Sequence, residues 1–429
     1  MIFTNTKEGS FDKEFAELLN RGKMDIATVS KIVSGIIEEI KTSKNSALFG
    51  HIAKFDNWTP TSDDDLQIST DSMQEAYKKL DSKLKESLHL AYGRIKAYHQ
   101  KQKPKSWFDT EANGTILGQK VTPVDSAGLY IPGGKAAYPS SLLMNVIPAQ
   151  VAGVENIVVC TPTPDNEPNE LLLAACHLCG VTQVFKVGGA SAIAAMAYGT
   201  ENIPKVDVIT GPGNIFEATA KKLVFGDVNI DMIAGPSEIG VLADESANAN
   251  HLAIDLLSQA EHDEMASSIL ITPSQKLADE VKKEIEVWLQ KLPRQEIARK
   301  SIEERGAIIV TQDMDEAVKL MNEIAPEHLE VATMSPFELL PYIKHAGAIF
   351  LGHNTPEAIG DYVAGPNHTL PTGGTAKFYS PLSVEDFMKK SSIISFSKAA
   401  IQEIGEECAL IANTEGLTAH EQSVRTRLK

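Results

Sequence analysis

The sequence predicts an α/β protein with two Rossmann-like parallel-sheet domains and helical N- and C-terminal extensions. Two observations predict the sheets. Short β-rich runs alternate with helical runs from about residue 118, and the alternation continues beyond "VNIDMIAGPSEIGVLAD". A third observation predicts the extensions, because the first hundred or so residues and the tail from about residue 383 look mostly helical.

The N-terminal part contains two predicted long helices. Apolar residues at helical spacing mark the first one: Ile26, Val29, Ile32, Val33, Ile36, Ile37 and Ile40. A similar set marks the second one: Leu80, Leu84, Leu88, Ala91 and Ile95. Pro104 breaks the second helix, because proline cannot continue the helical hydrogen-bond pattern.

The middle of the chain reads as strand and helix in turn. The first run is "NIVVCTP", "NELLLAACHLCG", "TQVFKVGG", "SAIAAMAYG", "KVDVITGPG" and "NIFEATAKKLVFG". The second includes "SSILITPS", "GAIIVTQ", "MDEAVKLMNEIA" and "AGAIFLG". This alternation is typical of βαβ units in parallel sheets.

Composition excludes several classes of function. The 429 residues are too many for one simple core and predict two or three domains. A net charge of −17 argues against nucleic acid or an anionic membrane as a partner. No segment approaches the roughly 18 apolar residues of a membrane span, and "MIFTNTKEGSFDKEF" lacks the features of a signal peptide. Four cysteines cannot form a disulfide framework in so long a chain, so we predict a cytoplasmic protein.

Three glycine-rich turns follow predicted strands, at residues 128–141, 186–193 and 209–222. In the last one Asn214 can cap the following helix, whose N–H groups and dipole favour a phosphate. Phe216 stands where a third glycine would complete the dinucleotide fingerprint, so this turn alone is weak evidence. Because ligands bind at the carboxyl ends of parallel strands, the three turns together favour a dinucleotide site.

The pair Cys176 and Cys179 invites a zinc or redox interpretation. No second cysteine pair accompanies it, and the run lies in a predicted amphipathic helix. Cysteine behaves there as a small apolar residue, so we interpret the pair as part of the core.

Several histidines have an acidic neighbour. Glu327 and His328 follow Pro326, and we expect this pair on a turn between a helix and a strand. The others lie in three further segments: His262 among Glu261, Asp263 and Glu264, His368 after Asp361, and His420 after Glu415. Gln259, His262, Asp361 and His420 offer donors that zinc accepts, although an amide oxygen is unusual. Spacing alone does not select this set over several others.

Together these stretches resemble the histidinol dehydrogenase family over nearly the whole chain. The motifs that carry the resemblance occur in the family's order: "GLYIPGG", "ITGPGN", "AGPSE", "SQAEHD", "APEHLE", "GDYVAGPNHTLPT" and "EGLTAH". The resemblance implies zinc- and NAD-dependent oxidation of L-histidinol to L-histidine through L-histidinaldehyde, in two hydride transfers. It also implies a homodimer whose C-terminal segment completes the partner's site.

The resemblance assigns roles to residues of this chain. Glu327 and His328 match the catalytic acid–base pair. One zinc per subunit matches Gln259, His262, Asp361 and His420. The matching substrate positions are these same six residues together with Ser237, His368 and Glu415. Tyr130, Asn214 and position 191 match NAD contacts, but Ser191 stands where the family usually has glutamine, and its shorter side chain reaches less far.

We expect four parts in the chain. They are an N-terminal extension at 1–25, a larger α/β domain at 26–126 and 238–380 with the metal and catalytic residues, an inserted NAD-binding domain at 127–237, and a helical dimerisation tail at 381–429. One alternative is a paralogous NAD-dependent dehydrogenase of another small alcohol. A zinc hydrolase with Glu327 as base, or a non-catalytic nucleotide-binding protein, explains fewer of the motifs.

Overall fold

The computed structural model is a mixed α/β protein, which confirms the predicted fold class. It describes residues 1–20, 26–133 and 138–429. The end of the expected N-terminal extension, at 21–25, and the middle of the glycine-rich turn at 128–141 therefore lie outside the described residues. No helix in the described ranges has the length and apolar character needed to cross a membrane.

The strands are β1 Ile2–Asn5, β2 Trp107–Thr110, β3 Ile116–Pro123, β4 Ser126–Tyr130, β5 Asn156–Cys160, β6 Gln183–Phe185, β7 Val208–Thr210, β8 Asn229–Ile230, β9 Glu238–Ala243, β10 Ser267–Thr272, β11 Ala307–Val310, β12 His328–Ala332, β13 Ala348–Leu351 and β14 Met388–Ser395. The helices are α1 Phe11–Asn20, α2 Ile26–Phe55, α3 Thr70–Lys79, α4 Ser82–Gln102, α5 Pro139–Ala152, α6 Glu170–Cys179, α7 Gly189–Tyr198, α8 Ile215–Val224, α9 Ala249–Ala260, α10 Gln275–Leu289, α11 Gln295–Arg305, α12 Met314–Ile324, α13 Pro336–Leu339, α14 Glu357–Ile359, α15 Lys398–Thr414 and α16 Thr418–Arg425.

The chain divides into two compact units, which we describe separately. The first contains residues 1–102 and 125–387, and the second contains residues 103–124 and 388–429. Both parallel sheets belong to the first unit.

The larger sheet has the strand order β1-β11-β10-β9-β12-β13, and all of its strands are parallel. Helices α9, α10 and α11 bury their apolar faces in one core cluster of this sheet, and α1 and α12 do so in another. With helices on both faces, its four central strands β9, β10, β11 and β12 are buried throughout, whereas the edge strands β1 and β13 are partly exposed. The edge strand β1 lies in the expected N-terminal extension and is too short to show a periodic pattern.

The smaller sheet has the order β6-β5-β4-β7-β8 and is also parallel. Val33, Ile37 and Ile40 of α2 are buried in the same core cluster as residues of α7 and α8. Helix α3 packs against α6, and α4 against α5. This packing differs from the expected assignment of 26–126 to the larger domain, because the apolar faces of these helices are covered by helices of the smaller sheet.

The second unit contains an antiparallel sheet of order β14-β3-β2, together with α15 and α16. The sequence predicts a mostly helical tail from residue 381, whereas β14 pairs with all eight residues of β3. All eight residues of β14 are exposed or half-buried, so no buried face imposes the alternation of apolar and polar residues by which a strand is recognised.

An ion pair is buried beneath the turn that follows β7. The ammonium of Lys221 contacts the carboxylate of Asp231, and their side chains are 4% and 0% exposed. Lys221 also donates to the carbonyl of Gly211 at 3.0 Å, and Asp231 accepts the Gly211 N–H at 2.9 Å. Gly211 has φ +117°, and a Cβ there would lie 2.0 Å from the Tyr130 carbonyl oxygen. The pair therefore fixes a turn that only glycine can form.

We expect Lys221→Met to lower the free energy of unfolding by about 3–5 kcal/mol, because it leaves the Asp231 carboxylate buried without its partner. Urea unfolding followed by circular dichroism measures this. Lys79→Met is the matched control, since it breaks the exposed Lys79–Glu170 pair (2.9 Å) and should leave stability unchanged. Equal effects of the two substitutions would contradict a structural role for the buried pair.

Candidate active site

The predicted catalytic and metal residues of the first unit meet at the amino end of the larger sheet. Glu238 begins β9 and His328 begins β12, and these neighbouring strands pair His328 with Ile239. Helix α9 returns antiparallel to β9, so its C-terminal end brings Gln259 and His262 back to the same edge. Strand order and helix direction, which sequence spacing does not reveal, thus bring these segments together.

The backbone of Glu238 holds both members of the Glu327–His328 pair. Its N–H donates to Oε2 of Glu327 at 2.8 Å, and its carbonyl accepts from Nδ1 of His328 at 3.1 Å. The two side chains approach to 3.7 Å. Both are almost fully buried, and His328 is the first strand residue rather than part of the expected turn. Parallel pairing with β9 extends the strand to this residue.

The helix before this pair ends as the proline predicts. Helix α12 stops at Ile324, and Ala325 takes a left-handed conformation with φ 51°. Pro326 therefore separates the helix from the two buried side chains.

Negative charge surrounds His328. Burial alone lowers the pKa of this imidazole, but the carboxylates of Glu327, Glu357 and Asp361 outweigh it and raise the pKa to about 10. Burial raises the pKa of Glu327 to about 8 and that of Glu357 to about 7. Because buried carboxylates are costly unless a cation accompanies them, this pocket favours a bound positive charge.

Three side chains in the described residues form a cluster with the spacing of metal ligands. One donor atom each of His262, Glu357 and Asp361 lies within 4.8 Å of the others. Asp361 also contacts Nε2 of His328 at 3.3 Å. Gln259 is buried beside Glu357, so three of the four predicted zinc ligands lie together. Imidazole and carboxylate donors fit zinc, and so does the surplus of negative charge.

One predicted substrate residue of the first unit, His368, borders this cluster. The Nδ1 atom of His368 lies 3.0 Å from the backbone carbonyl of Asp361, and its Nε2 lies 3.3 Å from the hydroxyl of Ser141. Ser237 directly precedes Glu238, and its carbonyl accepts the N–H of Ser267 at 2.9 Å.

Glu415 and His420 belong to the second unit. Glu415 is the C-cap residue directly after α15, and His420 lies in α16. Both side chains are exposed within this unit.

The predicted NAD residues follow the carboxyl ends of the smaller sheet. The strand order reverses between β4 and β7, where open parallel sheets bind dinucleotides. Tyr130 ends β4, and Asn214 caps α8 by accepting the N–H of Phe216 at 2.8 Å, which confirms the predicted cap. Ser191 lies in the first turn of α7, after β6. A dinucleotide fits this edge, since two helix N-termini and a glycine turn are placed together there.

Two hydroxyls at this edge already have partners. The phenol of Tyr130 donates to Oε1 of Glu217 at 2.8 Å and accepts the N–H of Gly189 at 3.3 Å. The hydroxyl of Ser191 contacts Nδ1 of His51 at 2.9 Å. His51 therefore lies next to Ser191, whose side chain is shorter than the glutamine that the family usually has at this position.

Three site residues escaped the sequence analysis, namely Glu238, Glu357 and His51. Glu238 acts through its backbone, which carries no sequence signal. Glu357 and His51 touch residues distant in the chain, Gln259 and Ser191, and nothing in their local sequence distinguishes them from surface residues.

The cysteines support the structural interpretation. All four are unpaired, and Cys160, Cys176 and Cys179 are buried. Burial raises the pKa of Cys176 to about 12, so its thiol is not activated as a nucleophile or metal ligand.

The sequence and the fold of this chain are similar to those of known histidinol dehydrogenases. A family model for histidinol dehydrogenase matches residues 19–428. The histidinol dehydrogenase of Sulfurimonas denitrificans is 81% identical over 100% of both chains, and that of Wolinella succinogenes is 69% identical over 99% of this chain and 98% of the relative. The crystal structure of histidinol dehydrogenase from Elizabethkingia anophelis matches with a TM-score of 0.94 and 36% identity, covering 100% of this chain and 98% of that one. All three carry the same activity in their names, and none is a dehydrogenase of another alcohol.

Proposed function

The chain belongs to the histidinol dehydrogenase family and is an oxidoreductase, and we propose that it oxidises L-histidinol to L-histidine through L-histidinaldehyde with two NAD⁺. Family membership excludes the hydrolase and non-catalytic alternatives and gives no support to a paralogous dehydrogenase. The observation that carries the proposal is the buried Glu327–His328 pair, held by the Glu238 backbone beside Asp361.

The residue types suit the chemistry of each oxidation. Conversion of an alcohol to a carboxylate removes four electrons, hence two hydrides, and each hydride leaves as a hydroxyl loses its proton. We assign the alcohol proton to His328. The neighbouring carboxylates raise the pKa of this imidazole to about 10, and a cation bound among them would offset that negative charge and lower the pKa towards the range in which His328 accepts a proton. We assign to Glu327 the activation of the water that adds to the aldehyde.

Gln259, His262, Asp361 and His420 would hold one zinc ion per subunit. The ion would supply a positively charged template for the nitrogen donors of the substrate. With one carboxylate among its four ligands, the ion and its ligands together would carry a net positive charge and accept neutral donors. Ser237, His368 and Glu415 would hold the substrate, and the proximity of His368 to Asp361 supports its share in this role.

NAD would bind at the carboxyl edge of the smaller sheet, near Tyr130, Ser191 and Asn214. The capped α8 N-terminus supports this placement, because its free N–H groups favour a pyrophosphate. The larger sheet, with residues 238–380, would carry the metal and catalytic residues, and residues 127–237 the dinucleotide site. The unpaired cysteines are in keeping with a cytoplasmic enzyme.

We further propose a homodimer in which Glu415 and His420 complete the site of the partner chain. This follows the resemblance to the family. The exposure of both side chains within their own unit is in keeping with it. Residues 381–429 would then form part of the dimer interface.

The overall reaction is tested by counting NADH formed per L-histidinol consumed, with excess NAD⁺. We expect two NADH, loss of activity after chelation and recovery with Zn²⁺. Magnesium added to the chelated protein is the control and should not restore activity, because it prefers oxygen ligands. One NADH per substrate would contradict the double oxidation, and activity that survives complete metal removal would contradict the metal.

The roles of the two catalytic residues can be separated by two uncharged substitutions, His328→Asn and Glu327→Gln. We expect His328→Asn to reduce the first oxidation by about 10²–10⁴-fold, as loss of a general base does. We expect Glu327→Gln to impair the second oxidation chiefly, so that single-turnover NADH approaches one per L-histidinol. When L-histidinaldehyde is supplied as the substrate, the NADH formed measures the second oxidation alone. Wild-type rates in both variants would overturn the assigned roles.

The trans arrangement predicts complementation between inactive chains. A dimer of His262→Ala with His420→Ala chains would have one site with both changes and one with neither. Random assortment makes half of the dimers mixed, so about a quarter of all sites should be intact. Co-expression followed by assay of the mixture measures this. If both histidines came from one chain, the mixture would stay inactive.

A further inference from the structure

The side-chain amide of Gln259 raises a problem of orientation. An amide presents an oxygen acceptor at one corner and an NH₂ donor at the other, and only the oxygen can bind a cation. The two corners have nearly the same shape, so packing alone does not choose between them. A neighbouring acceptor for the NH₂ group is needed to make the oxygen available.

Glu357 supplies that acceptor. With donors and acceptors matched, the amide nitrogen of Gln259 lies 2.6 Å from Oε1 and 2.9 Å from Oε2 of Glu357. Both side chains are 2% exposed, so water does not compete for this contact. The opposite orientation would place the amide oxygen against a carboxylate, which is repulsive.

Glu357 is itself held in place by two neighbours. Its backbone N–H donates to Oε1 of Glu330 at 2.7 Å, and its Oε2 accepts from the hydroxyl of Ser258 at 3.3 Å. Glu330 is buried in β12, two residues beyond His328. The backbone of Glu357 is therefore anchored to the sheet that carries the catalytic pair, and its carboxylate contacts α9, the helix that carries Gln259.

We propose that Glu357 is a positioning residue that fixes the Gln259 amide with its oxygen towards the metal, an inference that rests on the proposed metal site. Glu357 also lies in the cluster with His262 and Asp361, so direct ligation is the competing role. Both of its oxygens already accept from the amide nitrogen, and a metal bond would have to share them. In the positioning role, the Glu357 carboxylate binds the amide nitrogen of Gln259 rather than the metal, and the amide oxygen of Gln259 is left to bind the metal.

A double-mutant cycle on zinc affinity separates the two roles. The proteins are the full-length wild type, Glu357→Gln, Gln259→Ala and the double variant, each stripped of metal and titrated with Zn²⁺ against a chromophoric chelator. We expect Glu357→Gln to weaken zinc binding by about 10–100-fold, the usual effect of losing a partner that orients a ligand. In the Gln259→Ala background the same change should weaken it no further, because the group it orients is gone.

Two further variants serve as controls for the zinc-affinity measurement. Glu357→Asp keeps the charge but withdraws the carboxylate from the amide, and it should weaken zinc binding as Glu357→Gln does. Glu261→Gln removes one nearby charge without touching Gln259, and it should change affinity by less than about threefold. Circular dichroism shows whether each variant is folded. If Glu357→Gln does not fold, the zinc affinity of Glu357→Asp tests the proposal in its place.

The outcomes are distinct. Unchanged affinity in folded Glu357→Asp would overturn the inference while the metal site stands. Losses that add in the double variant would make Glu357 a ligand and also overturn it. A wild-type protein that binds no zinc would instead overturn the proposed metal, and the inference with it.

Discussion

The pairing of β9 with β12 is the constraint on which the candidate site depends. Glu238 contributes its N–H to Glu327 and its carbonyl to His328, so one residue of β9 sets the orientation of both side chains. A slip of one residue in a strand moves its side chains to the other face. The register His328 to Ile239 therefore decides whether the pair faces the metal cluster at all. Backbone groups make these contacts, so the orientation of both side chains does not depend on a bound ligand.

Charge is the second determinant. The carboxylates of Glu327, Glu357 and Asp361 lie around the imidazole of His328, and Asp255 and Glu330 add further carboxyl groups close to Glu357. Each buried ion costs several kcal/mol unless it is compensated. Sequences rarely keep such clusters for stability alone, and a cation at the cluster would offset much of this cost. The charge balance thus supports a metal independently of any resemblance to other proteins.

The sequence predicts the fold class because it depends on local periodicity. Alternating β-rich and helical runs appear as two parallel sheets, and Asn214 caps α8 as expected. The edge strand β1 and the exposed strand β14 were not predicted, because short or uncovered strands need no regular pattern. The side of the fold on which α2 packs depends on contacts between distant segments, which periodicity does not report.

The same limit explains what the site analysis missed. Spacing could not choose Gln259, His262, Asp361 and His420 over other sets, and the resemblance supplied that choice. Glu357 is 98 residues from Gln259 in the chain, and no local motif connects them. Its contact with the amide is visible only once α9 and the segment after β13 are folded against each other.

Helix polarity explains why the two candidate sites lie at opposite ends of their sheets. The N-terminus of α8, with its positive partial charge and free N–H groups, faces the carboxyl edge of the smaller sheet, which suits an anionic dinucleotide. The C-terminus of α9, which ends at Ala260, brings a negative partial charge to the amino edge of the larger sheet, next to Gln259 and His262. That end suits a cation. One chain thus uses the two ends of its helices for ligands of opposite charge.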